Sequence, residues 1–306
     1  DLIIAFTGDE ETKQADIKTL LREHRELIDA EFAFIVDTAP GFLDAAGDPA
    51  AIFVQYAEKN YLTFEITARS PGGHSSQPTP DNSIYKLASA IAAIENASFP
   101  VQGDAANRAF FRAMGNVMRG ELGSAMRRFG DNPDDADAVA ALAAVPGVAA
   151  NLGTTCVATM LQAGSAENAL PEAATVTVNC RVYPGVSADA VQALLERAVD
   201  NPEIEFVRTW DPVPAVPTPL RDDVTTLLQS VARNSTPEVP LVPLVGSGTT
   251  DGKFLRNAGI DSYGIMGFFM DPGQYAAHAS DERLPIDGFF ASLDFWDELV
   301  RAASAL

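Results

Sequence analysis

Short apolar runs alternate with polar turns at the beginning of the chain. Leu2–Phe6 is a continuous apolar run, which is typical of a strand buried on both faces of a parallel sheet. Apolar side chains from Ile17 to Ile28 recur at helical spacing, and a second apolar run follows at Phe32–Val36. A strand, a helix and a strand joined by short connections predict a βαβ unit with parallel strands.

The pattern changes near residue 61, where apolar and polar side chains alternate from Leu62 to Arg69. Such alternation predicts an antiparallel strand with one face in water. Later periodic segments complete the order βαββαβ, which is the ferredoxin-like split βαβ arrangement. They are a helix over 82–94, strands over 154–162 and 174–183, a helix over 188–199 and a strand over 204–208. An Ala-, Arg- and Asp-rich stretch over about 103–148 predicts two or three inserted helices.

The α/β pattern returns after a Pro-rich link at Asp211–Pro217. It comprises a helix over 222–232, strands over 241–245 and 262–268, and a final helix over 288–303. We therefore predict an α/β domain with a parallel or mixed sheet, made of residues 1–58 and 213–306. A smaller α+β domain, residues 59–212, interrupts it and carries the helical insertion.

Composition narrows the classes of protein. The chain has 306 residues, of which 47% are hydrophobic and 21% charged, as in folded globular proteins. Its apolar runs are far too short to span a bilayer, so no membrane segment is expected. The net charge of −21 repels phosphate groups, which makes nucleic acids and anionic membranes poor candidate partners. We interpret Asp1 as an internal position of a longer protein, so the sequence indicates no cellular compartment.

Two cysteines are too few for a disulfide scaffold. Cys156 and Cys180 lie on two strands expected to form a hairpin, which makes them candidate cross-strand neighbours. Two buried free thiols are favoured over a disulfide at this pair.

Carboxylates and an imidazole follow three of the predicted strands. Glu10 and Glu11 come after the first strand, Asp37 ends the second, and His278 lies in the loop after strand 262–268. Functional groups gather at the carboxyl ends of parallel strands, so we expect these side chains to meet at one edge of the sheet. Carboxylate oxygens and an imidazole nitrogen suit a zinc-type ion, and the remaining carboxylate suits a base for metal-activated water.

Two other interpretations of these carboxylates stay open. An Asp-Glu-Glu turn in an acidic protein is also typical of a solvated surface turn. A metal-free hydrolase, such as a glycosidase, would use Glu10 and Asp37 as an acid/base pair. That second interpretation leaves His278 without a role.

Five sequence motifs occur in a fixed order along nearly the whole chain. They are Thr7-Gly8-Asp9-Glu10-Glu11, Pro71-Gly72-Gly73-His74-Ser75, Asn179-Cys180-Arg181-Val182-Tyr183-Pro184-Gly185, Gly248-Thr249-Thr250-Asp251 and His278-Ala279-Ser280-Asp281-Glu282-Arg283. Together they resemble the M20 family of metallopeptidases, which includes carboxypeptidases, dipeptidases, aminoacylases and deacetylases. The helical insertion is most similar to the larger carboxypeptidase S-like and N-acyl amino acid hydrolase members. The resemblance implies a zinc-exopeptidase-like catalytic domain with an inserted ferredoxin-like lid.

The same resemblance implies roles at the sheet edge. Glu10 would be the general base and acid, with Glu11 and His278 ligands of one zinc and Asp37 a ligand of the other. A complete site would hold two zinc ions per chain, with cobalt or manganese as alternatives. The family's upstream His-x-Asp and bridging Asp are not within these 306 residues, so activity is expected only with that segment present.

Further roles are implied for the lid and a glycine-rich turn. His74 would stabilise the oxyanion, often from a partner subunit, and Arg181 would grip a substrate carboxylate. Asn168 and Thr249 would contact substrate. Without the resemblance, His74 is a surface-loop histidine, Arg181 an exposed sheet arginine and Asn168 a turn residue.

The expected activity is zinc-dependent hydrolysis of an amide bond in a small peptide or an N-acyl amino acid with a free carboxylate. The alternative is a catalytically inactive M20-like binding or assembly module, or an isolated fragment without the upstream ligands. A homodimer through the lid is the expected assembly.

Overall fold

The computed structural model describes residues 1–210, 213, 215–236, 238–274 and 276–305. They form two compact units, the first of residues 1–58, 102–152 and 215–306 and the second of residues 59–101 and 153–214. In the part of the chain that the structure describes, no helix is long and apolar enough to cross a bilayer.

The elements are numbered along the chain. The strands are β1 (Phe32–Ile35), β2 (Gly41–Leu43), β3 (Pro49–Glu58), β4 (Asn60–Arg69), β5 (Gly73–His74), β6 (Thr155–Ala163), β7 (Ala169–Leu170), β8 (Ala173–Val182), β9 (Ile204–Trp210), β10 (Leu241–Gly246), β11 (Asp261–Gly264) and β12 (Phe269–Met270). The helices are α1 (Ala15–Glu23), α2 (Arg25–Ile28), α3 (Ser83–Glu95), α4 (Ala105–Val117), α5 (Gly120–Asp131), α6 (Ala136–Ala143), α7 (Pro146–Ala149), α8 (Ala188–Val199), α9 (Asp222–Ser235), α10 (Gly252–Asn257) and α11 (Ile286–Ala303).

A mixed sheet organises the first unit, in the order β1-β11-β3-β2-β12, with β10 paired to β3. Strands β1 and β11 are parallel, with Phe32 opposite Asp261, and β10 is parallel to β3. Strand β11 runs antiparallel to β3 where the two meet. The expected α/β fold with a parallel or mixed sheet is confirmed.

Helices cover both faces of β3. Ile52 and Val54 are buried against α9 and α11, whereas Ala51 is buried in a cluster with Phe111 of α4. Alternate strand residues point to opposite faces, so one strand supplies both cores. The helical insertion of residues 102–152 is therefore part of the first unit. Chain order alone predicts it within the smaller domain of residues 59–212, because a linear sequence does not show which apolar surface a helix will cover.

The expected strand at Leu2–Phe6 is wrong. These residues are exposed, Phe6 at 94% of its surface, and none of them pairs with a described strand. An apolar run becomes a strand only where a neighbouring strand takes up its backbone hydrogen bonds. Conversely, β2 and β3 were not predicted, although β3 is central to the sheet.

The second unit has the predicted ferredoxin-like order. Its sheet runs β6-β8-β4-β9 with antiparallel neighbours throughout. Strand β8 alternates strictly between buried and partly exposed positions. Its buried side chains pack with Leu87 of α3 and Leu195 of α8 in one core. The proposed domain boundaries at 58/59 and 212/213 stay a prediction, and residues 211, 212 and 214 of the Pro-rich link lie outside the described residues.

Cys156 and Cys180 are cross-strand neighbours in the β6–β8 pair, as expected. They form a disulfide, and the preference for two free thiols was therefore wrong. Directly opposed residues on antiparallel strands bring the two sulfur atoms within bonding reach, which sequence separation alone did not show.

Candidate active site

Glu10 and Glu11 lie in a turn that Asp9 holds at the start of α1. The Asp9 carboxylate accepts hydrogen bonds from the backbone N–H groups of Ala15, at 2.6 Å, and Asp16, at 3.1 Å. These bonds hold the pKa of Asp9 below its usual value. In return, Asp16 accepts a hydrogen bond from the N–H of Gly8 at 2.8 Å. The turn is thus fixed from both sides, which sets where the two glutamates leave the backbone.

Glu11 and His278 approach each other although 267 residues of sequence separate them. The His278 Nε2 atom lies 3.7 Å from Glu11 Oε2, and both side chains are exposed. Two ligands of a tetrahedral zinc ion with bonds of about 2.0–2.1 Å lie roughly 3.4 Å apart. The pair therefore fits two corners of a zinc site.

Asp37 follows β1 at the same edge of the sheet. The pKa of its carboxyl is raised, mainly because surrounding protein displaces water and then because Glu11 and Asp251 are negative nearby. His278 acts on it in the opposite direction. The pKa of Glu10 is likewise raised by desolvation and, among charges, by Asp37, although a 2.9 Å hydrogen bond from Gln14 opposes this.

These carboxylates form a region of negative charge that a cation would neutralise. The pKa values of Glu10, Asp37 and Asp251 are raised mainly by desolvation and further by neighbouring carboxylates, both of which disfavour the ionised form. Within the described residues, however, no three His, Cys, Asp or Glu side chains converge closely enough to hold a metal ion by themselves. The donors present fit zinc chemistry, but a complete site needs more ligands than these residues bring together.

The glycine-rich turn after β10 places Thr249 and Thr250 in different surroundings. Thr249 is half-exposed, whereas Thr250 is buried and hydrogen-bonded to Glu58, a residue that the sequence analysis missed. Asp251 begins α10 without capping it through its side chain. Instead, Asp251 Oδ2 accepts a 2.6 Å hydrogen bond from the Thr7 hydroxyl. The signal for Glu58 was an acidic residue ending the apolar run of β3.

In the second unit, the structure brings His74 and Asn168 together. Strands β5 and β7 pair His74 with Ala169, and the Asn168 carbonyl accepts a hydrogen bond from Ser75 N–H at 3.0 Å. The exposed His74 ring is oriented by the Ser76 hydroxyl, 2.8 Å from Nδ1.

Arg181 lies far from that pair within the same unit. Strand β8 begins at Ala173, and Arg181 lies near its other end. The two residues are about 26 Å apart along the strand. Its guanidinium is stacked over the Tyr61 ring at 4.9 Å. The Tyr61 ring of β4 thus contacts the Arg181 guanidinium at the end of the sheet remote from the His74 loop.

Comparison with known proteins identifies the family. The peptidase dimerisation domain of the M20 family matches residues 56–206. The N-fatty-acyl-amino acid synthase/hydrolase PM20D1.1 of Danio rerio is 26% identical over 269 residues, which are 85% of this chain and 51% of that protein. The probable carboxypeptidase S-like 2 of Dictyostelium discoideum is 25% identical over 279 residues, 88% of this chain and 53% of that protein. The chain belongs to the M20 family of metallopeptidases.

A solved M20 structure has the same fold. The M20 family metallo-carboxypeptidase Sso-CP2 from Sulfolobus solfataricus matches with a TM-score of 0.63 and 18% identity, covering 95% of this chain and 67% of that one. The expected M20 fold with a lid domain is confirmed. This M20 chain spans about half the length of the curated relatives it matches.

Proposed function

We propose that this M20 chain takes part in zinc-dependent hydrolysis of an amide bond in a small peptide or an N-acyl amino acid with a free carboxylate. The observation that carries the proposal is the approach of His278 to Glu11 at the sheet edge that also holds Glu10 and Asp37. The M20 relatives are a named N-fatty-acyl-amino acid synthase/hydrolase and a probable carboxypeptidase, which supports the substrate class.

Glu11 and His278 would hold one zinc ion, and Asp37 would be a ligand of a second. Zinc, when bound, makes water acidic enough to ionise near neutral pH and polarises the scissile carbonyl. Cobalt or manganese would serve the same donor set. The remaining ligands of a two-metal site lie beyond what the described residues bring together.

Glu10 is proposed as the proton carrier. Its carboxylate takes a proton from the attacking water as the new carbon–oxygen bond forms. It then delivers this proton to the amide nitrogen as the carbon–nitrogen bond breaks, which leaves a carboxylate and an amine. The hydrogen bond from Gln14 to Glu10 Oε1 orients the carboxylate for this role.

The second unit is proposed to supply substrate contacts. Arg181 suits a substrate carboxylate because a planar guanidinium donates two parallel hydrogen bonds. His74 would donate to the oxyanion of the tetrahedral intermediate, with Asn168 beside it. Because Arg181 lies near the end of β8 that is remote from the His74 loop, we propose that His74 acts on the substrate held by the partner subunit. Thr249 would contact substrate from the first unit.

A second candidate function is a non-catalytic M20-like binding or assembly module. The observation that favours it is that no three-ligand group forms within the described residues. Such a protein would keep the fold and the lid while binding no zinc after dialysis. Metal content therefore separates the two candidates.

The test is substitution of Glu10 in the full-length protein. Glu10→Gln is expected to lower kcat by roughly 10²–10⁴-fold on an N-acyl amino acid, because it removes the proton acceptor while keeping the shape. Glu26→Gln, an exposed glutamate of α2, is the matched control and is expected to retain activity. Mass spectrometry of dialysed protein should find two zinc ions per chain. Unchanged activity of Glu10→Gln, or absence of metal from the full-length protein, would overturn the proposal.

A further inference from the structure

Glu58 is the centre of a buried polar network in the first unit. Glu58 is the last residue of β3 and is 0% exposed. Its Oε2 atom accepts a hydrogen bond from the backbone N–H of Thr250 at 2.8 Å. Its Oε1 atom accepts hydrogen bonds from the Thr250 hydroxyl at 2.6 Å and from the Arg256 guanidinium at 2.7 Å. The Arg256 guanidinium also donates a hydrogen bond to the Ser262 hydroxyl at 3.1 Å. A charged group buried this completely is retained only when every partner is held in place.

One arm of the network leads to Asp37. The Gln55 amide donates to Glu58 Oε1 at 3.2 Å, and the Thr38 hydroxyl donates to Gln55 Oε1 at 2.7 Å. Thr38 directly follows Asp37, so this arm fixes the backbone from which the Asp37 carboxylate projects. Gly246 of β10 leaves space for the arm, since a Cβ at that position would collide with Gln55 Oε1.

The other arm leads to the turn of Glu10 and Glu11. The residue after Thr250 is Asp251, which is buried. Its side chain accepts a hydrogen bond from the Thr7 hydroxyl at 2.6 Å. Asp251 Oδ1 is also buried and has no hydrogen-bond partner among the described residues. Among the described residues, the Asp251 side chain is therefore held by its hydrogen bond from the Thr7 hydroxyl. Thr7 lies three residues before Glu10.

We infer that Glu58 is a positioning residue that holds the loops of Asp37, Thr250 and Glu10 in register with one another. The network side chains act through the residues that they anchor. Groups behind metal ligands orient those ligands, and their loss typically weakens metal affinity or activity by 10–100-fold. This inference rests on the proposed function, because it assumes that Glu11, Asp37 and His278 bind zinc.

Single hydroxyl deletions in the full-length protein test the inference. Thr250→Val removes the donor to Glu58 Oε1, and Thr38→Val removes the donor to Gln55. Each is expected to weaken zinc affinity about 10–100-fold in competition with a chromophoric chelator, and to lower kcat more than it changes KM. Thr250→Ser restores the donor and is expected to restore both. Thr236→Val is the control, since the Thr236 hydroxyl bonds only locally to the Ala232 carbonyl.

Zinc affinity is read without substrate, so this test is distinct from the test of hydrolysis. A wild-type protein that binds zinc but cleaves no amide would overturn the proposed function, and the affinities alone would then decide the positioning role. If Thr250→Val does not fold, Thr38→Val decides, because Thr38 is only partly buried. Folded variants with wild-type zinc affinity and kcat would overturn the positioning role of Glu58.

Discussion

The Arg256 guanidinium lies 2.7 Å from the Glu58 carboxylate, and the two side chains are 2% and 0% exposed. The partners come from β3 and α10, which are almost 200 residues apart in sequence. The pair joins the central strand of the first unit to the helix that follows the glycine-rich turn. Its burial makes each charge dependent on the other.

Removing one partner of this ion pair is expected to destabilise the protein strongly. Arg256→Met leaves the Glu58 charge buried without its guanidinium, which typically costs about 3–5 kcal/mol. Arg301→Met breaks an exposed ion pair with Asp297 of 2.8 Å and is expected to destabilise the protein far less, because water screens the two charges. Urea unfolding followed by circular dichroism measures both. Equal midpoints for the two variants would contradict the burial argument.

Lys59 is expected to make stability rise with pH. Desolvation is the main cause that lowers the pKa of Lys59 to about 8, with the Arg181 charge adding to it. Between pH 8 and pH 10 the unfolded chain therefore binds more protons than the folded one, and this difference raises the free energy of unfolding by about 2 kcal/mol.

The comparison that isolates this effect is Lys59→Met against the exposed Lys13→Met. Unfolding free energies measured at pH 8 and pH 10 should show the Lys59 contribution in wild type and Lys13→Met, and lose it in Lys59→Met. A wild-type increase that persists in Lys59→Met would have to come from other groups.

The Cys156–Cys180 bond is expected to stabilise the second unit. The cysteines are 24 residues apart, and a loop of this size contributes about 3.5 kcal/mol by restricting the unfolded chain. Reductant should therefore lower the Tm of the wild type. The double variant Cys156→Ala/Cys180→Ala should show no response to reductant. Alkylation of both cysteines in unreduced protein would show that the bond is absent.

The edge strand β6 is expected to contribute to dimerisation. This strand is at the edge of its sheet, and Val157, Met160 and Leu161 are 59%, 62% and 62% exposed. Contiguous exposed apolar side chains on an open strand favour association with another chain. Leu161→Lys should shift the full-length protein from dimer to monomer in light scattering. Leu27→Lys, 60% exposed in the first unit, should leave the dimer intact.

Local patterns were sufficient for much of the fold. The alternation along β4 and β8 predicted antiparallel strands, and the helical periods predicted α3, α8 and α9 to within a few residues. Strand β3 was missed because only Lys59 separates it from β4, so no turn residues mark a boundary between the two strands. The spacing of apolar side chains along one segment shows which of its faces is buried. It does not show which other strand or helix packs against that face.

The sequence by itself determined the type of many elements, the order of the lid elements, and the candidate site residues Glu10, Glu11, Asp37 and His278. These follow from local spacing and residue type, which do not depend on distant parts of the chain. Only the tertiary structure decided that the helical insertion packs in the first unit, that the two cysteines are bonded, and that Glu58 links the site loops. Each of these depends on which surfaces meet, and contacts between residues far apart in sequence are fixed by packing of the whole unit.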